Sequence, residues 1–200
     1  MKKRILSILT ITLYGCASLP SGTSNLALSN KQHNNKQTQT TAAENQCIGT
    51  VKLADDLANK FEPITDAALL NKALGSPDKG KLCQGQVYQS QSGVPITIYR
   101  AWNSTNPNSK LGAWWAFQIP AGEVSQYRSD YEICYQWSPI DKLVSCTLKP
   151  GTKVVVGNGQ SAVCSDYLNY PVSAKQQIYI DDASLSVSNC ATFNGEFSWK

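Results

Sequence analysis

The chain has 200 residues, with 18 Lys and Arg, 14 Asp and Glu, one His and a formal net charge of +4. Three of the basic residues fall within the first four positions, and the other 15 exceed the 14 acidic residues by a single charge. This balance gives no support for a nucleic-acid partner, which needs a clustered basic surface. Because the only histidine, His33, lies in a polar segment, Ser-His-Asp and Cys-His triads are excluded as well.

The N-terminus has the organisation of a secretory signal peptide. A basic start at residues 1–4 precedes an apolar stretch at 5–15, which is too short to span a bilayer. The stretch is followed directly by a cysteine, in the sequence Leu-Tyr-Gly-Cys at 13–16. We therefore predict a signal peptide over residues 1–15.

The sequence up to Cys16 resembles the lipobox of bacterial lipoproteins, although Tyr14 stands where a small or aliphatic residue is usual. The resemblance implies that Cys16 carries a lipid and becomes the first residue of the mature chain, which would anchor the protein to a membrane of the cell envelope. Ala17, rather than Asp, follows the cysteine. By the Gram-negative sorting pattern this implies the outer membrane rather than the inner one. A soluble secreted protein cleaved at another site is the alternative.

A polar segment separates the lipobox from the rest of the chain. Residues 16–46 are rich in Ser, Thr, Asn and Gln and contain no aromatic residue. Such a composition cannot bury enough apolar surface to offset the entropy of ordering. We predict a flexible tether over 16–46 and one folded domain over 47–200, which is long enough for a single hydrophobic core.

The six cysteines that follow Cys16 form an even set in a chain predicted to enter an oxidising compartment. This favours three disulfides. A metal site is the competing interpretation. It is the weaker one, because the chain has no Cys-x-x-Cys pair and its only histidine lies in the tether.

The pairing of these cysteines follows from a predicted hairpin. Two β-like runs, at 131–137 and 142–148, flank the turn Ser-Pro-Ile-Asp. Folded together, they place Cys134 opposite Cys146, within disulfide reach. The predicted disulfides are Cys134–Cys146 and, by elimination, Cys47–Cys83 and Cys164–Cys190.

The domain is predicted to begin with two helices. Apolar residues recur at helical spacing over 49–61, and Pro63 ends this segment. Thr65 is predicted to cap a second helix over 66–74, which Gly75 terminates.

Short β-like runs make up the rest of the domain, with a short helix expected within 120–131. Because the helices come first and the strands follow, the predicted fold class is α+β. It has N-terminal helices followed by a mostly antiparallel sheet, and disulfides staple it together. The predicted strands are 86–90, 94–101, 113–119, 131–138, 142–148, 152–157, 175–180 and 183–189.

Two short motifs have structural explanations that are stronger than the catalytic ones. Gly-Asn-Gly-Gln at 157–160 is faintly similar to a phosphate-binding loop, but no helix signature follows it, so a hairpin or strand-end turn is predicted. The adjacent acids Asp181 and Asp182 would point to opposite faces of a strand. A turn or a helix N-cap is therefore predicted for them, rather than a catalytic pair.

The order of features over residues 94–180 carries a further resemblance. A strand ends in Tyr99-Arg100, Gly-Ala-Trp-Trp follows at 112–115, a helical stretch comes next, and a late strand at 176–180 reads Gln-Gln-Ile-Tyr-Ile. This order resembles ADP-ribosyltransferase toxins and their relatives. In that family an arginine on an early strand grips NAD, a second strand shapes the nicotinamide pocket, and a late strand carries Gln/Glu-x-Glu. The resemblance implies a domain that binds NAD or a related nucleotide.

The resemblance also implies roles for four residues. Arg100 matches the arginine that binds the pyrophosphate of NAD, which a guanidinium can hold in bidentate fashion. Trp114 or Trp115 lies where the nicotinamide pocket belongs, and a flat ring stacks well on an indole. Gln177 lies near the catalytic position of the late strand. NAD is therefore the candidate substrate, and no metal is expected.

The late strand departs from the family pattern because it contains no glutamate. Tyr179 stands where the second acidic residue is required, and Glu196 lies too far along the chain. A glutamine can hydrogen-bond a ribose, but it cannot stabilise the positive charge that develops when the N-glycosidic bond breaks. The resemblance thus implies nucleotide binding and leaves transferase activity open.

A second interpretation of the same residues involves no nucleotide. An arginine at the end of a strand commonly forms a surface ion pair, and adjacent tryptophans in an antiparallel sheet commonly divide between core and surface. The protein would then be a non-enzymatic envelope lipoprotein that binds another protein, in exclusion, adhesion or inhibition. Its exposed Trp and Tyr side chains would form the binding surface.

Overall fold

The computed structural model describes residues 46–193. The predicted signal peptide, Cys16 and the tether up to residue 45 lie outside these described residues. The same holds for residues 194–200, which include Glu196. Within the described part of the chain, no helix is long and apolar enough to cross a membrane.

The described chain combines four short helices with ten strands and three disulfides, which confirms the predicted α+β class. The helices are α1 (Asp55–Ala58), α2 (Ala67–Ala73), α3 (Val124–Asp130) and α4 (Ala183–Ser186), and Pro107–Leu111 forms a 3₁₀ turn. The strands are β1 (Phe61–Pro63), β2 (Leu82–Ser90), β3 (Ile96–Trp102), β4 (Trp114–Trp115), β5 (Lys142–Leu148), β6 (Lys153–Gly159), β7 (Ala162–Ser165), β8 (Leu168–Tyr170), β9 (Gln176–Tyr179) and β10 (Val187–Phe193).

The strands form three sheets in which every pairing is antiparallel. The largest sheet has the order β1-β2-β6-β9-β4, the second has the order β10-β5-β3, and β7 with β8 forms the third. Side chains of the two larger sheets meet in one apolar cluster, which includes Val156 and Ile178 from the first and Ile98 and Val144 from the second. Each such side chain, when fully buried, contributes about 1.5–3 kcal/mol to folding.

Strand β6 lies at the centre of the largest sheet and is buried on both faces. Val154 and Val156 belong to the cluster between the two larger sheets. Val155, on the opposite face, packs with Leu69 and Ala73 of α2. This two-sided burial explains why the strand has a continuous run of valines instead of alternating apolar and polar residues.

Helix α2 confirms the second predicted helix, with one change at its start. The cap is Asp66 and not Thr65, because Asp66 Oδ1 accepts a hydrogen bond from the Leu69 amide at 3.0 Å. The other oxygen of the Asp66 carboxylate, Oδ2, lies 3.0 Å from Lys153 Nζ at the start of β6. The cap thus ties the helix to the sheet that it covers.

Three predicted elements are wrong, wholly or in part, because long-range contacts override the local pattern. The predicted strand at 183–189 begins with helix α4, and only residues 187–189 belong to a strand. Only Asp55–Ala58 of the predicted helix at 49–61 is helical. Phe61 instead begins β1, pairs with Ser90 of β2 and lies in the main apolar cluster. The predicted strand at 131–138 is a series of turns that follows α3, so the predicted hairpin does not form.

The disulfides confirm one predicted pair and correct the other two. Cys47–Cys83 is present as predicted, but Cys134–Cys146 and Cys164–Cys190 are wrong. The bonds are Cys47–Cys83, Cys134–Cys164 and Cys146–Cys190, with Cα–Cα distances of 5.5, 5.3 and 4.1 Å. Cys146 lies on β5, whose neighbours are β3 and β10, and β10 carries Cys190. Because residues 131–138 do not pair with β5, Cys134 bonds to β7 instead.

Candidate functional site

The four residues that the motif order predicts for the site line one cavity. Arg100 of β3, Trp114 and Trp115 of β4, and Gln177 of β9 border a space of about 190 Å³. The residues are far apart in the sequence, so their convergence depends on the fold. The structure therefore brings all four predicted site residues together.

Strand pairing explains this convergence. β4 pairs with β9 at the edge of the largest sheet. Immediately after β4, the backbone of Ala116 exchanges two hydrogen bonds with Tyr99 of β3, each at 2.8 Å. β4 and the residue after it thus connect the two larger sheets, and the cavity lies at this junction.

The Arg100 guanidinium is anchored to backbone carbonyls. Its Nε donates to Ser109 O at 2.8 Å, and its Nη1 donates to Trp114 O at 2.7 Å. A Cβ at position 112 would approach Nη2 to 2.5 Å, so Gly112 leaves the space that the guanidinium occupies. Burial lowers the pKa of Arg100 to about 10, partly offset by Tyr127. The group therefore stays protonated at neutral pH.

No carboxylate neutralises Arg100 among residues 46–193. The three ion pairs in that part of the chain all involve lysines. A desolvated charge without a counter-ion is unfavourable, and carbonyl dipoles offset only part of the penalty. The cavity wall therefore presents a positive charge that an anionic group on a ligand would neutralise.

The two tryptophans divide between the faces of the sheet, as the second interpretation expects. Trp115 is buried in the main cluster, and its Nε1 donates to Gly112 O at 2.7 Å. The Trp114 ring packs against Tyr179, with ring centroids 5.0 Å apart. The cavity lining gains a third indole from Trp137, which is 53% exposed. The aromatic surface of the cavity is thus larger than the sequence indicates.

Glu132 is the site residue that the sequence pattern does not indicate. It supplies the only carboxyl group among the described residues that line the cavity, and it is 2% exposed. Its Oε2 accepts a hydrogen bond from Gln177 Nε2 at 2.6 Å, whereas Oε1 has no partner in the described part of the chain. Burial raises the pKa of Glu132 to about 9, although the hydrogen bond from Gln177 acts to lower it. The hydroxyl group of the nearby Ser173 donates to Asp130 O at 2.7 Å. At neutral pH the group is an uncharged acid.

Glu132 occupies the position just past the end of α3 where glycine is usual. Its φ of 48° lies in the left-handed region, and the Ile133 amide donates to Arg128 O at 2.9 Å, as in a Schellman motif. A non-glycine residue in this region costs about 1 kcal/mol or more. The Arg128 guanidinium fixes the following loop by donating to Ser138 O at 2.7 Å. The loop thus holds the carboxyl group inside the domain despite the backbone strain.

Gly159 makes room for the Glu132 carboxyl group. A Cβ at position 159 would lie 1.8 Å from Glu132 Oε2 and 2.2 Å from its Cδ, far inside van der Waals contact. Gly159 is the last residue of β6 and belongs to Gly-Asn-Gly-Gln at 157–160. The motif is therefore a strand end, as predicted, and its third residue allows a side chain to approach the backbone closely.

Backbone strain is concentrated around the cavity. Five non-glycine residues in 46–193 have positive φ, and three of them line the cavity: Lys81 at 68°, Glu132 at 48° and Ile140 at 43°. The Ile140 conformation is especially unfavourable, because its side chain is β-branched. Strain of this kind collects at binding and active sites, where surrounding contacts hold it in place.

The acidic pair Asp181 and Asp182 lies away from the cavity. Asp182 caps α4, because its Oδ1 accepts from the Leu185 amide at 3.3 Å, which confirms the predicted N-cap. Asp181 forms an exposed ion pair with Lys72 at 2.6 Å. Both carboxylates therefore have structural partners.

Neither metal chemistry nor known relatives identify the ligand. Between residues 46 and 193, no group of three or more His, Cys, Asp or Glu side chains could hold a metal ion. Comparisons with protein-family models, curated proteins and solved structures found no match. What the cavity binds must therefore be inferred from its own chemistry.

Proposed function

We propose that the domain binds a small flat ligand, carrying an anionic or hydrogen-bonding group, in the cavity bordered by Arg100 and Glu132. One observation carries this proposal: a guanidinium without a counter-ion and a buried carboxyl group with an unpartnered oxygen border the same cavity. Buried polar atoms are nearly always satisfied, so an unsatisfied one calls for an explanation. A few convergent polar groups in an otherwise apolar, aromatic cavity are typical of ligand sites.

The volume of the cavity limits the ligand to about one ring system. At about 190 Å³ it is smaller than the roughly 300–1,000 Å³ typical of pockets for drug-sized ligands. A complete NAD molecule is too large to be enclosed, whereas its nicotinamide ring is not. Lys81 and Trp137 are exposed members of the lining. They mark the side from which the rest of a nucleotide would project.

The chemistry of the cavity supports binding rather than ADP-ribosyl transfer. Cleavage of the N-glycosidic bond of NAD needs a negative charge that stabilises the oxocarbenium-like transition state. Glu132, the carboxyl group of the cavity, is uncharged at neutral pH. It also accepts the hydrogen bond that the side-chain amide of Gln177 donates, and Gln177 is the residue nearest the catalytic position of the resembled family. We therefore propose a binding domain with the motif order of those enzymes and without their catalytic carboxylate.

A protein-binding function is the second candidate, and exposed aromatic side chains favour it. Tyr135 is 58% exposed and Tyr167 is 98% exposed. The Cys134–Cys164 disulfide joins the two segments that carry these rings. Aromatic residues are enriched in protein interfaces. If the cavity binds none of the ligands tested, this candidate is the better supported one.

Nicotinamide and NAD should both bind the purified full-length protein at millimolar concentration, and NAD should stay intact. Replacing Trp137 with Ala should weaken the binding about fivefold, because stacking on an aromatic ring contributes about 1 kcal/mol. Isothermal titration calorimetry measures the affinities, and chromatography of the NAD measures any release of nicotinamide.

Tyr135→Ala is the matched control for this experiment. Tyr135 is about as exposed as Trp137 and lies two residues before it, but it does not line the cavity. Its replacement should leave the affinities unchanged. Flat titrations with both ligands would refute the proposal, and steady release of nicotinamide would show that the domain is an enzyme.

We also propose that a lipid on Cys16, outside the described residues, holds the protein at the outer membrane. In a Gram-negative host, Cys16→Ser should move the protein from the membrane fraction to the soluble fraction. It should also abolish incorporation of a labelled fatty acid, because serine has no thiol to acylate. Ser18→Ala, two residues further on, should stay with the membrane. Membrane retention of the Cys16→Ser protein would contradict the lipid anchor.

A further inference from the structure

We infer that the Cys134–Cys164 disulfide is a redox-sensitive switch of the cavity. Its oxidised form holds the cavity wall formed by residues 131–140, and its reduction by a dithiol lowers the affinity for the ligand. In this reduction the S–S bond breaks and takes up two electrons and two protons, so that two cysteine thiols form and the dithiol itself becomes a disulfide. The inference rests on the proposed function and adds the regulation of the same site.

One wall of the cavity comes from a single segment of the chain. None of residues 131–138 belongs to a helix or a strand, so no ladder of backbone hydrogen bonds fixes this segment to either of the larger sheets. The shape of the cavity therefore depends on the other contacts that hold the segment in place. Six lining residues lie within it: Tyr131, Glu132, Ile133, Trp137, Ser138 and Ile140.

Contacts with β7 hold the outer part of this wall. In the described part of the chain, the only hydrogen bond from residues 133–138 to a residue more than ten positions away is the one that Gln136 Nε2 donates to Cys164 O. The disulfide links the segment covalently to the same residue. The other hydrogen bonds of the segment are local, such as those that the Arg128 guanidinium donates. Cleavage of the S–S bond therefore leaves a single long-range hydrogen bond on this part of the wall.

The disulfide lies outside the main core. β7 forms a two-stranded sheet with β8, and the main apolar cluster contains neither Cys134 nor Cys164. A two-stranded hairpin is marginally stable at best by itself, so it opens locally at a lower free energy than the larger sheets. Cys164 is 8% exposed and Cys134 is fully buried, so a dithiol reaches the S–S bond through such an opening. Reduction of this bond thus leaves the main core intact.

Thermodynamic linkage gives the switch a measurable signature. If the oxidised protein binds nicotinamide about tenfold more tightly than the reduced protein, saturating nicotinamide stabilises the disulfide by the same factor. For a two-electron couple, a factor of ten lowers the reduction potential by about 30 mV. A disulfide that only stabilises the fold would not show this coupling at its own cysteines alone.

The test uses the full-length protein with Cys16→Ser, in which the six paired cysteines are the only ones. The protein is equilibrated in buffers of reduced and oxidised dithiothreitol, with and without saturating nicotinamide, and is then alkylated. Peptide mass analysis quantifies each disulfide. Nicotinamide should lower the midpoint of Cys134–Cys164 by about 30 mV and leave those of Cys47–Cys83 and Cys146–Cys190 unchanged.

The outcomes separate this inference from the proposed function. Calorimetry first establishes whether nicotinamide binds the oxidised protein. Binding without a shift of the Cys134–Cys164 midpoint, or with an equal shift of all three disulfides, would overturn the switch and leave the proposed function standing. Absence of binding would overturn both.

A variant without the disulfide gives a second measurement. Cys134→Ala/Cys164→Ala should bind nicotinamide about tenfold more weakly, because only a fraction of the molecules then have the wall in its binding conformation. Cys146→Ala/Cys190→Ala is the matched control and should keep the wild-type affinity, since it removes the bond between β5 and β10 and neither cysteine lines the cavity. Urea unfolding checks that each variant keeps a cooperative fold. Wild-type affinity in a folded Cys134→Ala/Cys164→Ala protein would overturn the inference.

Discussion

Replacing Glu132 with Gln should abolish a loss of stability that the wild-type protein undergoes between pH 5 and pH 8. Burial raises the pKa of this carboxyl group to about 9 in the folded chain, from an ordinary value of 4.5. Between these two values the unfolded chain has released the proton, and the folded chain still binds it. The free energy of unfolding therefore falls as the pH rises through this window, by about 1.4 kcal/mol per pH unit. Below pH 4.5 the carboxyl group is protonated in both the folded and the unfolded chain, so the free energy of unfolding no longer depends on its ionisation.

The Gln variant isolates this effect because its side chain has nearly the same shape and no ionisable group. Between pH 5 and pH 8 its stability should rise relative to wild type by about 4 kcal/mol. Urea unfolding at several pH values measures the difference. Glu62→Gln, at an exposed position of β1, is the matched control and should follow the wild type. Parallel curves for wild type and Glu132→Gln would show that the pKa of this carboxyl group is the same in the folded and the unfolded chain.

The parts of the fold that the sequence predicts correctly are those whose signal is local. The valine run of β6 and the apolar pattern of β5 indicate strands without knowledge of any neighbour. Phe61 shows the limit of this approach. Its spacing fits a helix, but pairing with β2 and burial in the core place it in a strand. Two of the three predicted disulfides are wrong for the same reason, because the partner of Cys146 lies on β10, more than forty residues away in the chain.

The residues of the candidate site likewise differ in whether the sequence predicts them. Arg100, Trp115 and Gln177, which the motif order predicts for one site, do border one cavity, because β4 pairs with β9 and contacts β3 through Ala116. The motif order does not indicate Glu132, whose neighbours in the sequence look like a strand. Its burial depends on a left-handed backbone and on the space at Gly159, and neither is visible locally. The one available signal is a pair of glycines at the end of an otherwise valine-rich strand, which marks a close approach.

Replacing Gly159 with Ala should destabilise the protein by about 3 kcal/mol and abolish ligand binding. Gly159 is not among the residues with positive φ, so alanine is acceptable to the backbone and only space is at issue. A Cβ there would lie 1.8 Å from Glu132 Oε2 and 2.2 Å from Cδ. The carboxyl group must move away and lose its hydrogen bond from Gln177. Overpacking and the loss of a buried hydrogen bond each cost about 1–3 kcal/mol.

A second substitution separates this steric conflict from a general loss of folding. In the double variant Glu132→Gly/Gly159→Ala, the carboxyl group is absent and the new methyl group has room. Glycine also suits the left-handed backbone after α3. The double variant should therefore be more stable than Gly159→Ala alone, as measured by urea unfolding, and should still fail to bind nicotinamide. Additive effects of the two substitutions would show that residues 132 and 159 are not in contact. Full stability of Gly159→Ala alone would show that Glu132 does not lie against β6. The proposed binding site would then lack a buried carboxyl group.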